Sequence, residues 1–153
     1  MSNNKKKNTG NDFSMLSEPF KALISNQGIN YQVFDLFPTP IQVFTPDGTT
    51  IFLNRAMMEL HKIPDANIFV GKYNYKNDPV CLSIMGQEVY DKVSRGEAVS
   101  FPNFPAPIQD VVDRGKLEDK PYEAATMDLF FLPVWDGDVF VYTIMFYYVK
   151  DVY

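Results

Sequence analysis

The chain of 153 residues is poor in the groups that do most protein chemistry: it has one cysteine, one histidine and one tryptophan. A single Cys81 rules out an internal disulfide and fits a reduced compartment, so a cytoplasmic location is the expectation. One histidine cannot supply a convincing Ser-His-Asp or Cys-His set, and His61 with Cys81 cannot build a structural zinc site. No glycine-rich phosphate loop is present. No apolar run reaches membrane-spanning length, and no secretory leader pattern is found, so no membrane segment is expected in this chain. Basic residues are too few for a nucleic-acid face: 14 Lys and Arg stand against 19 Asp and Glu, a net charge of −5. The only basic run, Lys5-Lys6-Lys7, lies in a polar stretch over residues 1–12 that reads as a disordered tail.

What the chain does have is aromatic side chains. Phe (13) and Tyr (9) lift the aromatic share to 15%, and hydrophobic residues make up 46%. That is enough for one domain with a real core, and the aromatics must fill it, line a pocket or cover an interface.

The segment from Ile41 to Leu60 is the most informative. Ile41 to Thr45 is a β-branched and aromatic run, and Pro46-Asp47-Gly48 is a turn in which proline presets φ and glycine accepts φ > 0. Thr50 to Leu53 returns as a second strand. Asn54 then stands at a helix N-cap, with Ala56, Met57, Leu60 and Ile63 at helical spacing behind it. Before this unit, residues 13–38 read as cap helices. Ser17-Glu18-Pro19 starts one, with Phe20, Leu23 and Ile24 as its apolar stripe. Asn30 caps another that carries Val33, Phe34 and Phe37 and stops at Pro38.

After Asp78-Pro79 the spacing of Leu82, Met85, Val89 and Val93 predicts one long helix ending at Gly96. Val99 to Phe101 begins a strand. Pro102 to Lys120 reads as a loop with one or two helical turns. A hairpin follows: Glu123 to Val134, a turn at Trp135-Asp136-Gly137-Asp138, and Val139 to Val149. In its last strand Val141, Thr143, Met145, Tyr147 and Val149 alternate with Phe140, Tyr142, Ile144, Phe146 and Tyr148, so both faces are apolar and both need cover. His61 reads as a histidine favoured by the C-terminal helix dipole, and Cys81 as an inert thiol. Glu118, Asp119 and Asp128 read as solvated or capping carboxylates, so no catalytic residue is assigned.

In order and spacing these elements resemble a PAS domain from about Tyr31 to Val152. The matching features are the Asp47-Gly48 turn, Asn54 with Ala56, Gly71, Arg95-Gly96-Glu97, Leu132-Pro133-Val134 with the Asp-Gly turn, and Lys150-Asp151-Val152. The segment between Phe101 and Pro121 is longer than in many PAS domains. The resemblance implies an α+β fold over residues 39–153. Its five-stranded antiparallel sheet has order 2-1-5-4-3, with a cavity between the sheet and short helices. It also implies a sensory module that forms a homodimer through the N-terminal helices and outer sheet face. The signal would pass to an effector domain of a longer bacterial regulator: a histidine kinase, a diguanylate cyclase or a helix-turn-helix protein. In the PAS register Met127, Leu129, Phe131, Met145 and Tyr147 face inward with Met85 and Val89, and Gln42 and Asn74 add polar contacts. The slot of the reactive cysteine in flavin photoreceptors holds Asn74, and the long helix has no histidine for a haem, so neither cofactor is expected. A fatty-acid-like or aromatic metabolite is the expected ligand class. Two alternatives remain open: a small α+β cone enzyme or carrier like ketosteroid isomerase, and a PAS platform that only dimerises.

Overall fold

The computed structural model describes residues 31–153. Helix α1 (Tyr31–Leu36) leads into the hairpin of β1 (Ile41–Phe44) and β2 (Thr50–Leu53), and α2 (Arg55–Leu60) follows directly. Two 3-10 turns (Ala66–Ile68 and Tyr75–Asn77) bring the chain to α3 (Pro79–Met85) and α4 (Gln87–Ser94). Then come β3 (Val99–Pro105), α5 (Ile108–Gly115), β4 (Ala125–Asp136) and β5 (Val139–Val152). The strands form one antiparallel sheet of order 2-1-5-4-3, the α+β architecture that the resemblance implies.

Asn54 ties the first third of this fold together. Its Oδ1 accepts from the N–H of Met57 (3.0 Å), as an N-cap does, and from the N–H of Ile41 (2.8 Å). Its Nδ2 donates to the carbonyls of Phe34 (3.0 Å), Phe37 (3.3 Å) and Thr39 (2.9 Å). One fully buried amide therefore fixes the start of α2, the start of β1 and the end of α1.

The long helix expected from Asp78 to Gly96 is two helices. Gly86 breaks it with φ 88° and ψ 159°, a conformation essentially confined to glycine, so α4 leaves in a new direction. β3 runs beyond Phe101 to Pro105 by way of a bulge. The turn of the last hairpin is only Gly137-Asp138, with β4 extending to Asp136. The one or two helical turns expected between Pro102 and Lys120 are α5, with Ile108 buried and Val111 and Val112 packed on the core. The helix expected after Ser17 lies outside the described residues, as do residues 1–12.

The two faces of β5 differ. Inward, Met145 stands opposite Gln42 on one side and Phe131 on the other, and Tyr147 opposite Leu129. Outward, Ile41, Val43, Ile51, Phe52 and Tyr142 are buried, with Phe34 of α1 packed against them. Among the described residues that cover does not reach Tyr148 and Leu132, which are 64% and 43% exposed.

Candidate functional site

Between the inner sheet face and α2 to α5 lies a cavity of about 100 Å³. Gln42, Met85, Val89, Met127, Leu129, Phe131, Met145 and Tyr147 all line it, so eight of the nine residues singled out in the sequence come together. Their placement follows from the register: Met127, Leu129 and Phe131 alternate along β4, and Met145 and Tyr147 along β5. The break at Gly86 leaves Met85 and Val89 on separate helices, yet both reach the cavity.

Asn74 is the exception. It caps the second 3-10 turn, accepting from Lys76 N, and its Nδ2 donates to the Asp47 carbonyl (2.9 Å). Its side chain clasps the β1–β2 turn and stays out of the cavity.

Polar groups in the wall exceed what the sequence suggested. His61 is 5% exposed and lines the cavity. Its backbone N–H closes α2, but its ring is buried, which corrects the reading as a histidine favoured by the helix dipole. Burial lowers its pKa to about 4, so the ring is neutral at pH 7. Its Nδ1 lies 3.0 Å from the hydroxyl of buried Tyr122, in the stretch before β4, and its ring meets Tyr147 edge-on. The signal was there to read: His61 follows Met57 by four residues and so shares the buried face of α2. Nothing in the local pattern marks Tyr122.

A second polar group sits where α3 meets α5. Asp78 Oδ1 caps α3 through the N–H groups of Val80 (3.1 Å) and Cys81 (3.0 Å), and Oδ2 accepts from the Tyr73 hydroxyl (2.6 Å). Arg114 of α5 lies 3.6 Å from Asp78, holds Asp110 at 2.7 Å and rests over the Tyr73 ring. Burial pushes the Asp78 carboxyl up, but the bonds from Tyr73 and Cys81 and the charge of Arg114 outweigh it, so the group stays ionised with a lowered pKa. Burial first, then the neighbouring Asp78 charge, raise the Cys81 thiol to about 12. Cys81 is therefore a protonated wall residue without nucleophilic character.

Among the described residues no group of three or more His, Cys, Asp or Glu side chains is arranged to hold a metal ion. No helix among them is long and apolar enough to cross a membrane.

No family model matches the sequence, and no curated protein matches it. Solved structures do match in shape. The PAS domain of Bordetella pertussis BvgS superposes with a TM-score of 0.59 at 15% identity, covering 85% of this chain and 88% of that one. A PAS domain from a two-component sensor histidine kinase gives 0.54 at 8% identity, over 85% and 99%. The PAS domain of an HTR-like protein from Haloarcula marismortui gives 0.51 at 12% identity, over 86% and 97%. With the sheet order and the cavity behind it, these likenesses identify the chain as a domain of the PAS fold.

Proposed function

We propose that this chain is a sensory input module that admits a small molecule to its core cavity and relays occupancy to an effector. The observation that carries the reading is the cavity itself, walled on one side by the sheet and on the other by short helices joined by irregular segments. Such a wall can shift without breaking the sheet. An apolar lining with a few placed polar groups is what small-molecule recognition requires. Its volume of about 100 Å³ is smaller than the roughly 150 Å³ that accommodates benzene in an engineered core. That size favours compact molecules of few heavy atoms over a flavin, a haem or a long acyl chain.

We read the module as non-catalytic, dimeric and cytoplasmic. Asp78 has its oxygens occupied by Tyr73 and the α3 cap, and Cys81 is held as the thiol, so neither is free to act as a base or nucleophile. The partly exposed outer face with Leu132 and Tyr148 supports self-association there, and an effector domain is the proposed recipient of the signal. The cone-enzyme alternative loses its basis with the PAS sheet order. The dimerisation-platform alternative draws support from the small size of the cavity.

Native mass spectrometry of the protein isolated from cells, followed by denaturation, tests the proposal. A small molecule released in stoichiometric amount from the protein, and missing from a Met145→Trp variant, is the expected result. Bare protein in both samples, with no compound in a small-molecule panel raising the melting temperature, would overturn the sensor reading and leave the platform.

A further inference from the structure

Most polar groups around the cavity are already spent, and the ones left over define what can bind. Arg114 is shared between Asp110 and Asp78, and Asp78 is occupied by Tyr73 and the α3 cap. Three atoms are different. The Tyr122 hydroxyl finds His61 Nδ1 as its one acceptor among the described residues, and the tautomer in which it donates there satisfies it. The remaining ring proton of neutral His61 must then sit on Nε2. Among the described residues Nε2 makes no hydrogen bond, and His61 lines the cavity. No hydrogen bond is formed among the described residues by the Tyr147 hydroxyl, whose ring is in edge contact with His61 and which lines the same cavity. Gln42 gives its Nε2 to Thr50 Oγ1 (2.8 Å), and among the described residues its Oε1 accepts no hydrogen bond.

Donors left open on the wall of an apolar cavity are the groups that can fix a ligand's orientation. We propose that His61 Nε2–H and the Tyr147 hydroxyl anchor the acceptor oxygen of a small uncharged ligand, a carbonyl compound of about five heavy atoms, whose apolar body lies against Met145 and Met127. The inference rests on the small-ligand reading above and adds the chemistry of the ligand. Charge is selected against. A carboxylate would enter a wall that already carries the Asp78 carboxylate, with Asp110 beside it and Arg114 shared between them, next to an uncharged imidazole. A cation finds Asp78 with its oxygens engaged.

The test is a methyl-NMR titration of the full chain, because Met57, Met85, Met127 and Met145 all line the cavity and report on it. Four probes of matched shape are used: 2-butanone, its hydrocarbon analogue 2-methyl-1-butene, propionate and sec-butylammonium. The expected result is that 2-butanone shifts these methyl signals at the lowest concentration. Tyr147→Phe and His61→Phe each weaken 2-butanone about tenfold, as loss of one buried hydrogen bond should. The same variants leave 2-methyl-1-butene within about twofold. If His61→Phe loses its native spectrum, Tyr147→Phe alone decides. Equal binding of ketone and hydrocarbon, unmoved by the variants, overturns the anchor while the small-ligand reading stands. Tighter binding of propionate or of the ammonium overturns the uncharged class. No shift with any probe overturns the inference and the sensor reading together.

Discussion

The Nδ1 atom of His61 and the hydroxyl of Tyr122 lie 3.0 Å apart, joining the end of α2 to the approach to β4 across 61 residues of chain. The pair is sealed under the sheet, and this burial is what keeps the imidazole neutral.

A pH dependence follows from it. The folded pKa of about 4 is below the unfolded value of 6.5. Between those values the unfolded chain binds a proton that the native chain does not. Stability is therefore whole above pH 6.5 and falls as pH drops toward 4, by roughly 3 kcal/mol at about 1.4 kcal/mol per unit. His61 is the only histidine, so the slope belongs to it. Urea unfolding from pH 7.5 to 4.5 should show this decline in the native sequence and a nearly flat profile in His61→Phe. An unchanged slope in the variant would refute the assignment.

Asn54→Ala should be among the most damaging single changes. It strips the cap from α2 and leaves the Ile41 N–H and the Thr39 carbonyl without their partner. The expected loss is about 3–5 kcal/mol, read from denaturant midpoints. Asn54→Asp keeps the acceptors but brings a buried charge and loses both donors, so it should rescue little. Full stability in either variant would contradict the account.

Gly96 sits at φ 75°, and a Cβ there would lie 2.6 Å from Cζ2 of Trp135, the chain's only tryptophan. Its carbonyl also accepts from the Trp135 indole N–H at 3.2 Å. Gly96→Ala should displace the ring and cost about 1–3 kcal/mol. Tryptophan emission gives a direct reading, and a native spectrum together with native stability would show that the contact yields freely.

Met127 is 1% exposed and stands at the cavity wall. Met127→Trp should fill the space and lower stability by about 1–3 kcal/mol through overpacking. Met127→Ala should enlarge the cavity and cost about 2–5 kcal/mol. If both are well tolerated in thermal melts, the wall is looser than its packing indicates.

The sheet was legible because its strands carry period-two alternation and its hairpins carry Asp-Gly or Gly-Asp turns. The inward register of β4 and β5 came with it, and so did the part of the cavity wall that these two strands supply. Gly86 was harder: a lone glycine inside an apolar stripe is compatible with a continuous helix, and only the need for Met85 and Val89 to reach the cavity from separate helices makes the break useful. Asn74 was misplaced because a short polar side chain serves a turn as readily as a pocket, and the turn it serves is distant in sequence. Tyr122 carries no local signal because its partner is set by tertiary contact alone. The helical turns of α5 were legible among the prolines and charges, but that they wall the cavity was not, because their docking is set by tertiary contact.

The sheet order has a consequence for biogenesis. β1 has no neighbour on its far side until β5 exists, since Ile41 pairs with Phe146 and Phe44 with Thr143. The ribosome delivers β1 and β2 long before β5. The nascent chain therefore carries an unpaired strand edge through most of its synthesis, a site where a chaperone or a second nascent copy can dock. The domain closes when the strand made last is laid down between its two halves.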